Sequence, residues 1–248
     1  MTQEILKTER HGAIEHLILN RPDSLNSLNQ PMADALYAYF RSKQRDADTR
    51  VILISGSGRG FCSGADLKGW RDQTADRLRD GPEGDWLLRD MLKAMRACPQ
   101  PVIALVHGAA AGGGLVIALA ADIIVVGKSA AFHSAFIKIG LSGTELGAGW
   151  RLQRMIGVSR AREMLLTGRP MNAEDAVRSG LASAQVADED LIAYGRALAE
   201  DMLKAAPDAL RVTKRSLDAT LEIPSFDTAM EMEERGQIQM VRAAPTKR

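Results

Sequence analysis

The chain has little with which to do metal, redox or membrane work. Its 248 residues include two cysteines, Cys62 and Cys98, and four histidines, His11, His16, His107 and His133. Neither set has the spacing of a zinc site or a disulfide framework, so the sequence predicts no metal and fits a reducing compartment. No nucleotide fingerprint of the Rossmann or Walker type is present. Charge of one sign is missing as well: 32 basic and 31 acidic side chains leave a formal net charge of +1, and no basic stretch is interleaved with aromatics, which argues against nucleic acid as a partner. No apolar run is long and unbroken enough to span a bilayer, and Met1 to Arg10 is polar and charged, so we expect no membrane partner and a cytoplasmic location.

Glycine, by contrast, is abundant, and two clusters of it carry chemical information. Val106-His107-Gly108-Ala109-Ala110-Ala111-Gly112-Gly113-Gly114 runs into the apolar stretch Leu115 to Ala121, which ends at Asp122. This reads as a strand, a glycine turn and a buried helix. Such a turn either allows close packing or presents backbone N–H groups, aided by the helix dipole, to an oxygen that carries negative charge. Val51 to Gly56 reads as a second buried strand, followed by the small-residue turn Gly58-Arg59-Gly60-Phe61-Cys62-Ser63-Gly64-Ala65-Asp66-Leu67. Two turns of this kind can supply two N–H donors to one carbonyl oxygen.

The composition, 46% hydrophobic and 25% charged, is that of a globular enzyme with room for a substantial core. Short strands such as Ala13 to Leu19 alternate with helices, one of them expected from about Pro31 to Lys43. Beyond about Val186 strand character is lost, and Leu191 to Ala205, Asp208 to Leu221 and Phe226 to Met240 read as helices, with Pro207 and Pro224 at the breaks. The expected division is therefore a core over residues 1–186 and a helical region over 187–248. Thr74 to Asp90, with Gly81-Pro82 and many charges, reads as a surface loop that gives way to a helix near Trp86.

Phe61 to Leu67 together with Gly108 to Asp122 resembles the crotonase family, the enoyl-CoA hydratase and isomerase superfamily. The likeness extends over nearly the whole chain, through Asn20-Arg21-Pro22, Asn26-Ser27-Leu28, Leu165 to Arg169, Asp175-Ala176 and Gly180-Leu181. It implies an α/β fold, a spiral of ββα units with a C-terminal helical region that assembles trimers or dimers of trimers. It implies an acyl-CoA thioester as substrate, coenzyme A being part of that substrate and no separate cofactor being needed. By the same resemblance the N–H groups of Ala65 and Gly113 form an oxyanion hole, CoA lies along Ala65, Asp66 and Leu67, and Gly112 and Phe136 line the acyl site.

At the catalytic carboxylates the sequence departs from the family's hydratases. Matched residue by residue, their two glutamates fall on Val116 and Phe136, neither of which transfers a proton. A carboxylate stands further on, Glu145 in Gly140-Leu141-Ser142-Gly143-Thr144-Glu145-Leu146-Gly147, where some relatives carry a functional aspartate. Two readings of Glu145 stand side by side: a base whose pKa is raised by an apolar pocket, or a carboxylate placed beside the N-terminus of a helix over Gly147 to Ile156. The first predicts an enoyl-CoA isomerase with Glu145 as proton shuttle. Hydration or hydrolysis through Glu145 and a non-catalytic acyl-CoA binder are the alternatives. Cys62 is expected to be a packing residue, Asp66 and Asp122 structural, and His133 and Ser134 structural before catalytic. Family members continue past the last helix with a segment over the CoA adenine, whereas this sequence stops at Lys247-Arg248, which leads us to expect weaker CoA binding.

Overall fold

The structure, a computed structural model, describes residues 4–66 and 87–243. Leu67, most of the expected surface loop, and the terminal Lys247 and Arg248 lie outside these described residues. The chain opens with an antiparallel hairpin, β1 (Leu6–His11) and β2 (Ile14–Leu19), turned by Gly12 at φ +60°. Helix α1 (Gln30–Lys43) follows, started by Asn29, whose side chain accepts from the Met32 N–H, and by Pro31 in its first turn. Then come β3 (Val51–Gly56), α2 (Leu87–Ala97), β4 (Val102–Val106), β5 (Ala109–Ala111) and α3 (Gly113–Ala120). The middle of the chain holds β6 (Ile123–Gly127), β7 (Ala131–His133), α4 (Ala148–Ile156), α5 (Val158–Thr167), β8 (Met171–Asn172), α6 (Ala173–Ser179) and β9 (Ala184–Val186). Helices α7 (Leu191–Leu203), α8 (Pro207–Thr220) and α9 (Phe226–Ala243) complete it.

Six strands form one sheet in the order β1-β2-β3-β4-β6-β9, parallel from β2 onward, and β5-β7-β8 form a second, small sheet. Strand alternation divides the apolar side chains between the two faces of the large sheet. Val51, Leu53, Ile103, Leu105 and Val125 face α7, meeting its Leu191 and Ala199, while Ile52, Ile54, Val102, Ala104 and Val126 face the main core with α3. Helix α3 is buried along its whole length, as its apolar sequence requires.

Several buried polar side chains are paired. Lys43 Nζ lies 2.7 Å from both Glu15 and Asp46 at the edge of the sheet. Lys214 on α8 reaches Asp122 at 2.8 Å and donates to the Gln100 carbonyl, and Asp122 also accepts from the Val102 N–H. Asp122 is thus a backbone partner, in the structural role the sequence suggests. Helices α8 and α9 pack on each other and leave Leu217, Phe226, Met230 and Val241 exposed.

Candidate active site

The two glycine-rich turns meet where β3 and β4 run out. Beyond β3, Phe61 N–H donates to the His107 carbonyl at 2.8 Å, Cys62 N–H to Ala109, and Ala111 N–H back to Cys62. A parallel bridge then pairs Leu28 with Ala65: Leu28 N–H donates to Gly64 and Asp66 N–H donates to Leu28. Both bonds go to the residues flanking Ala65, so the Ala65 N–H faces away from Leu28. On the other turn Gly112 N–H donates to the His133 carbonyl and Val116 N–H to Gly112, whereas Gly113, as the first helical residue, has no intrahelical acceptor. Among the described residues, no backbone carbonyl takes the N–H of Ala65 or of Gly113.

Gly64 lets the two turns close on each other. Its φ is +87°, and a Cβ there would stand 2.6 Å from the Ala111 carbonyl oxygen and 3.2 Å from the Gly113 nitrogen. Any side chain would force the turns apart. Gly112, at φ +51° and ψ −116°, has a backbone conformation that residues with a Cβ rarely adopt. Gly114 lets α3 close on the Cys62 backbone, since a Cβ there would meet the Cys62 carbonyl at 2.1 Å.

Side chains from the segment before α1 lock the Ala65 turn. Arg21 pairs with Asp66 at 2.9 Å and also donates to the Ser27 carbonyl and hydroxyl. Asn26, fully buried at φ +55°, donates to the carbonyls of Ser57 and Gly60 and accepts from the Arg21 N–H. Asp66 therefore organises this turn through its side chain.

Where a pair of carboxylates is expected, the structure has hydrocarbon. Val116 sits in the first turn of α3 and Phe136 at the start of a 3-10 turn over Ile137–Ile139; both belong to the main apolar core. The Phe136 ring lies against Gly112, two of its carbons 3.6 and 3.8 Å from where a Cβ would be. From Phe136, whose carbonyl accepts from Leu141 N–H, the chain enters the loop that carries Glu145. That loop is fastened twice at Gly143: the buried Ser134 hydroxyl donates to its carbonyl, and the Leu165 carbonyl leaves no room for a Cβ. Leu146 at φ +50° and Gly147 at φ +86° turn the chain into α4.

Glu145 is half-buried, and among the described residues its carboxylate has neither an ion-pair nor a hydrogen-bond partner. Gly147, not Glu145, is the residue that precedes α4, and no side chain caps that helix, so Glu145 does not serve as an N-cap.

Cys62 is fully buried, and burial pushes its thiol up to about 12, outweighing the Gly64 N–H and Arg21. It is a packing residue at neutral pH. His133 ends β7 half-buried, its pKa lowered by burial and then by Lys138. Among the described residues no group of three metal-ligating side chains converges. A cleft of about 890 Å³ between α1 and α2, lined by Tyr37, Arg41, Arg45 and Lys93, and another of about 620 Å³ between α2, α8 and α9 lie away from both glycine turns. Gly64 and Arg21 are supporting residues that the sequence pattern did not single out. For Gly64 the signal was present, a glycine directly before Ala65.

Comparison with known proteins agrees with this geometry. Residues 9–247 match the family model described as enoyl-CoA hydratase/isomerase. A Mycobacterium bovis protein named "Probable enoyl-CoA hydratase" is 40% identical over 229 residues, 91% of this chain and 80% of that protein. Among solved structures, an enoyl-CoA hydratase from Bacillus anthracis superposes with a TM-score of 0.91 at 27% identity, covering 97% of this chain and 92% of that one. A monofunctional enoyl CoA isomerase from M. smegmatis gives a TM-score of 0.79 at 34% identity, covering 91% and 98%. The α/β spiral with a helical C-terminal region is the fold shared with these structures.

Proposed function

The chain belongs to the enoyl-CoA hydratase/isomerase family, and from that premise we propose that it shifts a carbon-carbon double bond within an acyl-CoA thioester, with Glu145 as the sole proton carrier. The observation that carries this reading is that Val116 and Phe136 are buried hydrocarbon while Glu145, on the adjoining loop, has a carboxylate without a partner among the described residues. In a 3-enoyl thioester Glu145 takes the proton from the carbon between carbonyl and alkene. The electron pair delocalises into a dienolate, whose oxygen rests on the N–H groups of Ala65 and Gly113. The same carboxyl group returns the proton to the γ carbon, giving the 2-enoyl thioester with no gain or loss of atoms. Each oxyanion donor of this kind contributes about 3 kcal/mol to the barrier reduction.

The CoA portion lies along the segment from Ala65 through Asp66, and the acyl group beside Gly112 and Phe136. The exposed apolar side chains of α8 and α9 support self-association as a trimer or dimer of trimers, and the enzyme works in the cytoplasm. Water addition through Glu145 is the second reading, favoured by the hydratase name of the 40% identical relative.

The test is mass spectrometry of 2-enoyl- and 3-enoyl-CoA thioesters incubated with the protein in D2O, with Glu145→Gln in parallel. Double-bond migration with deuterium incorporation, lost in the variant while thioester affinity persists, is the expected result. Gain of water identifies a hydratase; full turnover by Glu145→Gln removes Glu145 from the mechanism.

A further inference from the structure

The oxyanion turn and the Glu145 loop belong to different elements, and the Arg151 side chain is one of the groups that tie those elements together. Helix α3 carries Gly113 at its N-terminus and is only eight residues long. Its side chains, from Gly113 to Ala120, offer no polar group with which to fix its axis. At its far end, Arg151 donates from Nε to the Leu119 carbonyl at 2.9 Å and from Nη2 to the Ala121 carbonyl at 3.2 Å. Those are carbonyls of the last turn, which a helix end leaves without partners, and a cation there also suits the helix dipole.

Arg151 itself stands in the first turn of α4, its N–H bound to the Gly147 carbonyl, and Ala148 N–H is bound to the carbonyl of Glu145. The loop and α4 are thus one hydrogen-bonded piece. Burial lowers the Arg151 pKa and Arg96 adds to this, while Asp218 and Asp122 oppose it. A guanidinium kept in such a place needs both carbonyls to offset its desolvation.

The geometry points to Arg151 as a positioning residue for the proposed reaction, fixing the Glu145 loop against the Gly113 N–H. An eight-residue helix is about 12 Å long, so a tilt of about 5° about its C-terminus moves Gly113 by about 1 Å. A misplacement of that size costs on the order of 100-fold in rate. Lysine at this position can donate to either carbonyl but lacks the rigid fork that takes both.

This inference rests on the isomerase reading, and its test separates the two. In the intact protein, Arg151→Met and Arg151→Lys are compared with wild type for thermal midpoint, kcat and KM. A further readout is the red shift of a bound aryl-acryloyl-CoA chromophore, which reports polarisation of the thioester carbonyl by the N–H donors. Arg151→Met is expected to lose about 100-fold in kcat with KM within about threefold and a diminished red shift, and Arg151→Lys to fall between it and wild type. If Arg151→Met does not fold, Arg151→Lys decides by the same readouts. Variants that lose thermal stability yet keep kcat and the red shift in the folded protein overturn the inference and leave Arg151 merely structural. Glu145→Gln keeps the red shift whatever its turnover, so failure of the Glu145 assignment is read separately from failure of the Arg151 one.

Discussion

Replacing Gly64 by alanine tests the backbone hole without touching any proposed proton carrier. Two costs follow from the structure. The first is conformational: a φ of +87° suits glycine, and an alanine forced there loses about 1–2 kcal/mol of stability. The second is steric: the new Cβ would lie 2.6 Å from the Ala111 carbonyl oxygen, against the 3.4 Å at which ordinary contact begins, so the turns must part by about 0.8 Å. That displacement falls on the backbone that places the Gly113 N–H beside Ala65. Loss of one oxyanion donor costs about 10²–10³ in kcat, and partial displacement is expected to cost about 100-fold. Gly12→Ala is the control, because Gly12 also has positive φ, +60°, but nothing within 4 Å of its Cβ position. Gly12→Ala should lose about 1–2 kcal/mol in urea titrations and Gly64→Ala more, by its steric cost, while only Gly64→Ala should lose turnover in the D2O exchange assay. Equal turnover in Gly64→Ala and wild type would refute the placement of the hole.

Three further outcomes follow from the buried polar groups. Burial, partly offset by Glu9 and reinforced by Arg196 and His11, lowers His16 from 6.5 to about 4. Between those values the unfolded chain holds a proton that the folded one lacks, so stability falls as pH drops, by about 3 kcal/mol for this group. Urea midpoints at pH 7 and 4.5 should converge in His16→Gln, and an unchanged pH dependence would contradict this. Burial raises the Asp46 carboxyl, but hydrogen bonds from Lys43 and Thr49 outweigh it and hold the group below the usual carboxylate range. Its contribution is fully present above about pH 4 and is lost progressively as pH falls through the folded-state value, so Asp46→Asn should destabilise the protein by about 1–3 kcal/mol at pH 7 and by a smaller amount at pH 2. Cys62 should be unreactive toward a disulfide reagent at pH 8 until the protein unfolds; rapid native-state labelling assigned to Cys62 by peptide mapping would contradict its burial.

The parts of the site legible in the sequence are those fixed by local chemistry. Gly112-Gly113-Gly114 before an unbroken apolar stretch announces a turn into a buried helix, and Val51 to Ser55 can hardly be other than a buried strand. Strand β5 was not legible: three alanines beside glycines have little strand propensity of their own, and their conformation comes from pairing with Ala131, Phe132 and His133 and from the bridge between Cys62 and Ala110. The partners of Arg21 and Arg151 were hidden for a related reason. Arg21 meets Asp66 across 45 residues, and Arg151 meets Leu119 across 32, distances over which periodicity carries no information. Glu145 was visible as a carboxylate among small residues, but its lack of a capping role came only from the geometry of α4.

The arrangement also fits the proposed carbonyl-polarising hole in a chain that lacks the two glutamates. The proposed hole consists of backbone N–H groups, whose positions depend on Gly64, Gly112 and the Leu28 bridge and on no side chain at 116 or 136. Valine and phenylalanine at those positions join the core and remove the penalty of burying two carboxylates, about several kcal/mol each if unpaired. In the proposed mechanism carbonyl polarisation and proton transfer are thereby separable: the first is assigned to the main chain and the second to one replaceable loop residue. A single carboxylate suffices for moving a proton from one carbon of a dienolate to another, because the group that accepts it is the group that returns it. Water addition asks more, since one group must activate water while a proton is delivered to the α carbon. With Val116 and Phe136 in place, Glu145 would have to do both, which is why the isomerase reading ranks first.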